Sequence, residues 1–335
     1  MSLEPKISVI GGGAWGTALA QVCSHDNRKI TLWCREGGLA AEINAIQRNK
    51  TYLGDIALNK SINATNDLEI ALHAQILLMV TPAQALRSIL ESMKPHIRQD
   101  HVLVLCSKGI ETSTEKLLSD VVEDILPGMA VAILSGPNFA KEIAKGLPAG
   151  TTLACADEKT GKTLQKLIAA PYFRPYYSAD IIGAQIAGAF KNVIAIACGI
   201  AHGLNLGESA RASLVTRGLS EISRLGISMG AKPETFMGLC GIGDLMLTCS
   251  SEQSRNFSLG LALSKGQSLK SLMEKKGSSL SEGVHTAETA ISLARKHGVD
   301  MPISQAVNNC LHGELSIDDM LEDMLNREVK DETEF

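Results

Sequence analysis

A lysine inside an apolar helical stretch is the residue of this sequence that most clearly suggests chemistry. Lys191 lies within Ala187–Ala195, where all its neighbours except Asn192 are small or apolar. A lysine is rarely buried unless it is paired, because burying a lone ammonium costs several kcal/mol. Such a lysine can donate a proton to a carbonyl oxygen while a hydride arrives, and can take one back in the reverse direction. The pattern fits equally a lysine that snorkels to water at the edge of a packed helix, so both interpretations stand at this point.

A glycine-rich turn near the N-terminus suggests a nucleotide site. The apolar run Ile7–Ile10 leads into the hexapeptide GGGAWG, and Thr17–Ala20 then opens a helix. In this GxGxxG pattern Gly11 makes the tight turn, Gly13 lets a pyrophosphate approach the backbone, and Gly16 lets the helix pack on the strand. The phosphates then lie at the helix N-terminus, where N–H groups favour negative charge. The spacing therefore predicts that a dinucleotide binds here.

The end of the second predicted strand bears on which dinucleotide binds. The run Lys29–Cys34 is followed by Arg35 and Glu36. An acidic residue at this place binds the ribose 2′-hydroxyl of NAD, whereas an arginine accommodates the 2′-phosphate of NADP. Arg35 therefore predicts NADP(H), or tolerance of both NADP(H) and NAD(H), while Glu36 favours NAD(H). A solvated arginine with no role in binding is the alternative.

Further polar residues lie where a ligand could be held. Lys108 follows the strand-like run Val102–Cys106, and ligands of open α/β sheets bind beyond the carboxyl ends of the strands. The segment Ser135–Ala140 leaves the next strand through a turn that could present backbone N–H groups. Asp244 and the triplet Ser254–Asn256 lie in the second half, where an arginine fork suits a phosphate. Taken alone, each of these groups also fits ordinary solvated loop residues.

The elements that would position these residues change in character along the chain. Continuous apolar runs in the first half are typical of parallel strands buried on both faces, and helical periodicity fills the crossovers. The predicted strands are Ile7–Ile10, Ile30–Trp33, Ile76–Val80, Val102–Cys106 and Val131–Leu134. The predicted helices are Ala83–Met93, Glu115–Ile125, Ile181–His202, Glu208–Leu225, Ser258–Leu263, Leu269–Met273, Thr286–His297, Ile303–Leu311 and Ile317–Leu325. Gly238–Gly243 and Lys276–Gly283 are predicted loops, and Arg327–Phe335 a frayed tail.

These elements predict an α/β fold. A Rossmann-type, doubly wound sheet forms a dinucleotide-binding domain over residues 1–185, and a mostly helical, all-α C-terminal domain over residues 186–335 binds the substrate.

The composition argues against several classes of protein. The chain has 335 residues, a net charge of −4 and no run of lysine or arginine, so we expect no nucleic-acid partner. Its eight cysteines form no CxxC pair and its eight histidines lack ligand spacing, so we expect reduced thiols and no metal site. The N-terminus has no signal-peptide pattern, and polar residues interrupt the longest apolar stretch, Ile181–Ile200. A membrane span needs about 20 apolar residues, so we expect a soluble, cytoplasmic protein without stable membrane insertion.

Seven segments, taken together, point to one family. They are Gly11–Ala20, Cys106–Glu111, Ser135–Glu142, Gly188–Ala197, Glu234–Leu245, Leu247–Ser250 and Ser254–Asn256. In these segments the chain resembles the NAD(P)-dependent glycerol-3-phosphate dehydrogenases of bacterial type, over nearly its whole length. The resemblance implies reversible reduction of dihydroxyacetone phosphate to sn-glycerol 3-phosphate for phospholipid synthesis, with NADP(H) or NAD(H). It also implies the two-domain fold and a homodimer.

The resemblance implies roles for individual residues. Lys191 would be the general acid/base at the substrate carbonyl, Asp244 would orient it, and Lys108 would contact both substrate and cofactor. The implied substrate-binding residues are Lys108, Gly136, Asn138, Lys191, Asp244, Ser254, Arg255 and Asn256, of which the last three hold the phosphate. The implied cofactor-binding residues are Gly11, Gly13, Ala14, Trp15, Gly16, Arg35, Lys108, Ala140, Arg255, Leu280 and Glu282.

The sequence departs from the family pattern at three places. Asn138 stands where the family usually has serine or threonine, Phe257 stands where a basic residue is frequent, and Gly54 replaces the proline that commonly follows Leu53. Two other functions remain compatible with the sequence: another NADP-linked reductase acting on a hydroxy acid or sugar phosphate, and a non-catalytic dinucleotide sensor. A sensor has no use for a charged lysine in an apolar helix, so Lys191 counts against it.

Overall fold

The computed structural model describes residues 6–276 and 282–326. The chain has two compact units: the first comprises Met1–Lys108 and Lys116–Ile181, and the second comprises Gly109–Glu115 and Ile182–Phe335. The first is built on a sheet flanked by helices and the second is largely helical, so the predicted fold class is confirmed. The division of roles between residues 1–185 and 186–335 concerns ligands and stays a prediction. The segment Arg327–Phe335 lies outside the described residues.

Ten strands occur in the described parts of the chain. They are β1 (Ile7–Ile10), β2 (Ile30–Trp33), β3 (Ile62–Thr65), β4 (Ile76–Met79), β5 (Val102–Leu105), β6 (Ile110–Glu111), β7 (Lys116–Leu117), β8 (Ala130–Ser135), β9 (Ala149–Cys155) and β10 (Phe173–Ser178). Eight of them form the sheet of the first unit, in the order β10-β9-β8-β5-β4-β1-β2-β3. All neighbours are parallel except β8 and β9.

The strand order reverses at β1. In register, Ile7 lies opposite Ile30 of β2 on one side and Ile76 of β4 on the other. The connections from β1 and from β4 therefore leave in opposite directions, which opens a crevice at the carboxyl end of β1. In sheets of this type the ligand binds in that crevice, and the glycine-rich turn of this chain begins there.

Helices flank the sheet, and the longer amphipathic ones present an apolar stripe to the protein interior. In the first unit they are α1 (Ala14–Cys23), α2 (Gly37–Ile46), α3 (Lys50–Leu53), α4 (Leu68–Ala71), α5 (Leu86–Met93), α6 (Leu118–Ile125), α7 (Ala140–Ala144) and α8 (Glu158–Ile168). On α5, for example, Leu86, Leu90 and Met93 are buried at the i, i+4, i+7 spacing of one helix face. The strands β1 and β4 are buried along their whole length, as expected for a sheet covered on both faces.

The second unit packs around one buried helix. Its helices are α9 (Ile181–Gly203), α10 (Gly207–Ser228), α11 (Pro233–Phe236), α12 (Asp244–Cys249), α13 (Arg255–Ser264), α14 (Leu269–Lys276), α15 (Glu282–His297), α16 (Pro302–His312) and α17 (Ile317–Leu325). Every residue of α9 from Gly183 to Ala201 is buried. By length and composition α9 could cross a membrane, but 89% of its most apolar window is buried inside the protein, as in a core helix.

Two glycines bring α9 and α13 into backbone contact. A Cβ atom on Gly199 would lie 2.1 Å from the Phe257 carbonyl oxygen, and one on Gly260 would lie 2.0 Å from the Ile196 carbonyl oxygen. Neither position has room for a side chain. The close packing holds the start of α13 beside α9, the helix that carries Lys191.

A buried glutamate links α10 to α16. Glu221 is 2% exposed and accepts hydrogen bonds from the backbone N–H groups of Ile303 (2.6 Å) and Ser304 (3.1 Å) and from Ser304 Oγ (3.0 Å). Burial raises the pKa of the Glu221 carboxyl to about 7, against the opposing effect of these hydrogen bonds. The side chain thus serves as a remote N-cap for α16.

Some elements differ from the sequence-based expectation. The strands β3, β6, β7, β9 and β10 were not predicted. Three of them lack a continuous apolar run: β3 buries only alternate residues, β9 includes the polar pair Thr151 and Thr152, and β10 alternates buried and exposed residues at its start. The predicted helix Glu115–Ile125 was wrong at its start, because Lys116–Leu117 forms β7 and α6 begins at Leu118. The predicted loop at Gly238–Gly243 contains a short helical turn over Leu239–Gly243 that is interrupted at Gly241, where φ and ψ are −92° and −108°. Most predicted helices and strands lie within a few residues of the observed ones.

Candidate active site

The side chain of Lys191 is buried and paired. The residue is 6% exposed; its ammonium forms a salt bridge with Asp244 and donates a hydrogen bond to Thr248 Oγ1 at 2.8 Å. Asp244 is 1% exposed, so both charges of the pair are removed from water. A snorkelling lysine would keep its ammonium in solvent, and Lys191 does not. A charged lysine is kept in this apolar helix because a buried carboxylate compensates it.

The two partners of Lys191 lie on one face of α12. Asp244 and Thr248 are four residues apart, so their side chains lie one turn apart on the same side of the helix. Thr248 Oγ1 donates to the Asp244 carbonyl oxygen at 2.6 Å, which directs a lone pair of the hydroxyl toward the ammonium. The neighbouring Cys249 is buried, and burial raises the pKa of its thiol well above the usual value. The chemistry available here is therefore that of an amine, not of a thiolate.

A pair of amides extends this arrangement to α13 and α15. Asn256 Nδ2 donates to Asn192 Oδ1 at 2.9 Å, and Asn256 Oδ1 accepts from the Gly283 N–H at 3.1 Å. Ser254 caps α13, since its Oγ accepts from the Phe257 N–H at 3.3 Å. Arg255, the first residue of α13, is exposed. Within the predicted triplet, Arg255 is therefore exposed, whereas Ser254 and Asn256 are buried and form hydrogen bonds that order the start of α13.

The glycine-rich turn has the geometry that the motif requires. Gly11 has φ +130°, and a Cβ there would lie 2.4 Å from the Val80 carbonyl oxygen; one on Gly16 would lie 1.8 Å from the Gly11 carbonyl oxygen. A Cβ on Gly13, by contrast, would meet nothing within 4 Å. The turn is closed on the strand side and open at Gly13, beside the N-terminus of α1. Ala14 and Trp15 form the first turn of that helix, where the Trp15 ring packs against Phe173.

The residues after β2 form an exposed ion pair. Arg35 donates from Nε and Nη2 to Glu36 Oε1 at 2.9 and 2.7 Å, and its side chain is 83% exposed. The hydrogen bond from Arg35 lowers the pKa of the Glu36 carboxyl. Because the pair is solvated, it is weak, and Arg35 is free to turn toward another anion.

The remaining predicted residues of the first unit lie along the ends of β5 and β8. Lys108 Nζ donates to the Gly136 carbonyl oxygen at 2.9 Å. Asn138 Nδ2 donates to the Gly150 carbonyl oxygen at 3.1 Å, while its Oδ1 is buried with no hydrogen-bond partner among the described residues. The side chain therefore offers an acceptor. Ala140 begins α7 and is half-buried.

Two predicted residues lie near the start of α15 in the sequence. Glu282 is the first residue of α15 and is half-buried, whereas Leu280 lies outside the described residues. Thr248 has no predicted role, although its spacing of four residues from Asp244 within a helical pattern places it on the same face and could have identified it.

Comparisons with known proteins agree with the resemblance. The family profile described as NAD-dependent glycerol-3-phosphate dehydrogenase N-terminus matches residues 6–161, and the profile for the C-terminus matches residues 180–322. The chain is 51% identical over 328 residues to glycerol-3-phosphate dehydrogenase (NAD(P)+) of Parvibaculum lavamentivorans, with 98% of each chain covered. It is 46% identical over 330 residues to the protein of the same name from Corynebacterium glutamicum, covering 98% of this chain and 99% of that one.

A solved structure is similar over the same extent. The crystal structure of glycerol-3-phosphate dehydrogenase from Coxiella burnetii matches with a TM-score of 0.91 and 36% identity, covering 96% of this chain and 99% of that one. The predicted family is confirmed: the chain belongs to the NAD-dependent glycerol-3-phosphate dehydrogenases.

Proposed function

We propose that this protein reduces dihydroxyacetone phosphate reversibly to sn-glycerol 3-phosphate with NADPH or NADH, and so supplies glycerophospholipid synthesis. The observation that carries the proposal is the buried ammonium of Lys191, paired with Asp244 and bonded to Thr248. Membership of the family and the names of the relatives give the substrate and the cofactor class. We propose further that the enzyme works in the cytoplasm, as the sequence composition indicates, and that it is a homodimer, as the family resemblance implies.

The glycine-rich turn fits a dinucleotide. The open space at Gly13 and the start of the ten-residue helix α1 provide room and N–H groups for a pyrophosphate. When bound, the reduced nicotinamide cofactor supplies a hydride. The residues that we propose to hold it are Gly11, Gly13, Ala14, Trp15, Gly16, Arg35, Lys108, Ala140, Arg255, Leu280 and Glu282.

Lys191 would supply the proton. Reduction of a ketone leaves negative charge on the carbonyl oxygen, and an ammonium at that oxygen stabilises the charge and then donates a proton. In the reverse direction the neutral amine takes the proton of the hydroxyl. Asp244 holds the ammonium in one place, and burial of the pair strengthens this electrostatic effect because water does not screen it.

The phosphate of the substrate requires cations and neutral donors. Arg255 stands exposed at the N-terminus of α13, where its guanidinium fork and the positive end of the helix both favour an anion. Ser254 and Asn256 order this helix start and complete the proposed phosphate site. Lys108, Gly136 and Asn138 are further proposed substrate contacts, with the buried acceptor Asn138 Oδ1 suited to a hydroxyl group.

The first experiment combines the purified protein with dihydroxyacetone phosphate and NADPH, then NADH, and follows absorbance at about 340 nm. We expect rapid oxidation of the cofactor, and the ratio of the two rates tests whether Arg35 favours NADP(H). A panel of hydroxy acids and sugar phosphates should react poorly. NADPH binding without oxidation in the presence of dihydroxyacetone phosphate would refute the proposal and favour another reductase or a sensor.

The role of Lys191 has its own test. We expect Lys191→Ala to abolish nearly all turnover while the Kd for NADPH stays close to that of the wild type. The Lys191→Ala variant leaves the carboxylate of Asp244 buried without its ion-pair partner, which can destabilise the protein. The double variant Lys191→Met/Asp244→Asn removes both charges and therefore tests the loss of the amine without a buried, unpaired charge. Equal losses of turnover and NADPH binding in both variants would contradict the role assigned to Lys191.

A further inference from the structure

The glycine-rich turn has a flexible backbone, and the motif alone does not fix its conformation. Three consecutive glycines, Gly11 to Gly13, leave the backbone of the turn with little intrinsic restriction. A peptide flanked by glycines can rotate about its neighbouring bonds, and every rotation moves the N–H group that a phosphate would contact. A turn that is to bind an anion tightly must hold this peptide in one orientation before the anion arrives.

Asn49 lies beneath this turn and holds it. Its side chain is fully buried, and Nδ2 donates to the Gly12 carbonyl oxygen at 2.9 Å and to Thr17 Oγ1 at 2.8 Å. Its Oδ1 accepts from the Tyr52 N–H at 3.2 Å. A carbonyl oxygen can only accept and a backbone N–H can only donate, so these partners admit one orientation of the amide. Thr17 Oγ1 in turn donates to the Gly12 carbonyl oxygen at 3.3 Å, which closes the network.

The bond to the Gly12 carbonyl oxygen orients the N–H of Gly13. The two groups belong to one peptide unit, which is trans, so they point in opposite directions. With the carbonyl held from the protein interior, the N–H of Gly13 faces away from it. Gly13 is also the residue of the turn at which a Cβ would meet nothing within 4 Å.

Asn49 is itself held firmly. It caps the short helix α3, and its carbonyl oxygen accepts from the Leu53 N–H at 2.8 Å. The next residue, Lys50, donates its N–H to Glu42 Oε1 of α2 at 3.0 Å. The amide therefore reaches the turn from a segment with its own hydrogen bonds. Aspartate would lack the donors, and serine would be too short to reach Gly12.

We propose that Asn49 is a positioning residue for cofactor binding: it fixes the Gly12–Gly13 peptide so that the Gly13 N–H is set for the dinucleotide pyrophosphate. The inference rests on the proposed function, because it supposes that this turn binds NADPH or NADH. Without the Asn49 amide the peptide samples several orientations, and the apparent Kd rises by the inverse of the fraction that remains competent.

The test compares two Asn→Ser variants at opposite ends of α1. Asn49→Ser keeps an oxygen able to cap α3 but removes the donors to Gly12 and Thr17. Asn59→Ser is the matched control: Asn59 Nδ2 donates to the Ser24 carbonyl oxygen at 3.0 Å, at the C-terminus of α1, and its Oδ1 accepts from the Ser61 N–H at 2.9 Å. Both variants thus lose an amide that donates to a backbone carbonyl next to the same helix.

We expect Asn49→Ser to raise the Kd for NADPH, measured by fluorescence titration, by about tenfold or more. The KM for dihydroxyacetone phosphate and kcat at saturating NADPH should stay within about twofold. Asn59→Ser should lower the melting temperature without changing the Kd. A purely structural role for Asn49 would give the two variants the same pattern, and this result would overturn the inference.

A second variant keeps the test decisive if Asn49→Ser does not fold. Thr17→Val removes the other donor to the Gly12 carbonyl oxygen and leaves the Asn49 bond in place, so the Kd should rise by less, about threefold. If the Kd for NADPH is unchanged in every folded variant, the inference is overturned. The proposed function still stands in that case, because the wild-type protein binds NADPH. Failure of the wild-type protein to bind NADPH or NADH at all would refute both.

Discussion

Thr248→Val is the substitution whose consequence follows most directly from the geometry at Lys191. It nearly preserves the volume of the side chain and removes the hydroxyl that accepts from the ammonium at 2.8 Å. Asp244 remains as the ion-pair partner, so the positive charge stays compensated. The ammonium loses a contact that defines its position relative to α12.

The size of the effect can be worked from that one bond. A hydrogen bond to a charged group contributes about 1.5–3 kcal/mol. If all of it is lost in the transition state, kcat falls about 10- to 150-fold. We expect the lower part of this range, because the salt bridge with Asp244 still restrains the ammonium. The KM for dihydroxyacetone phosphate should change less than kcat, since the hydroxyl acts on proton transfer and not on the phosphate.

The assay is steady-state reduction of dihydroxyacetone phosphate by NADPH, with the melting temperature measured in parallel. The matched control is Thr289→Val on α15, where a buried threonine donates to the His285 carbonyl oxygen at 3.1 Å with the same four-residue spacing as Thr248 to Asp244. Both variants should remain folded, but only Thr248→Val should lose turnover. A Thr248→Val enzyme with kcat within about twofold of wild type would refute the reasoning.

Two further predictions concern the first unit. Gly13→Ala should fold like the wild type, because its Cβ meets nothing within 4 Å, yet it should bind NADPH far more weakly. Gly16→Ala should lower the melting temperature, because its Cβ would lie 1.8 Å from a carbonyl oxygen. Thermal melting with and without NADPH checks both, and a Gly13→Ala protein with wild-type affinity would contradict the assigned role of the open side. His101 is fully buried, its Nδ1 accepts from the Arg98 N–H at 2.9 Å, and burial lowers its pKa below the ordinary 6.5. Its contribution to stability should be present above pH 6.5 and lost as the pH falls toward the lower folded-state pKa. Wild type should therefore lose more stability than His101→Asn between about pH 7.5 and 5.5, and equal losses would disprove the link.

Central strands could be predicted from the sequence because burial on both faces leaves a continuous apolar run. The predicted bounds of Ile7–Ile10 coincide with β1, which is buried along its whole length. The strands β3, β9 and β10 were missed because their pattern alternates or includes polar residues: Arg174 and Tyr176 of β10 are exposed while Phe173 is buried. For such strands the sheet, and not the local sequence, determines the conformation.

The candidate site could be predicted only in part for a similar reason. The turn at Gly11–Gly16 is local, so spacing alone identifies it. The pairing of Lys191 with Asp244 joins residues 53 positions apart, and no local pattern shows it; it was expected from the family resemblance. Thr248 was missed although its four-residue spacing from Asp244 is a usable signal. Asn49 was missed because a single amide carries no periodicity, and its importance depends on which backbone groups the fold brings within reach.

Because Glu221 is buried in the folded chain, unfolding of the chain is accompanied by an exchange of protons with the solvent. A carboxyl whose pKa is about 7 when folded and 4.5 in an ordinary environment is still largely protonated in the native chain at slightly acid pH. Unfolding then releases a proton to the buffer, and the contribution of Glu221 to stability is present below pH 4.5 and lost as the pH rises through about 7. His101 works in the opposite sense, since its unfolding takes up a proton. A calorimeter should therefore record an unfolding enthalpy that depends on the ionisation heat of the buffer, with Glu221 and His101 contributing to this dependence in opposite directions.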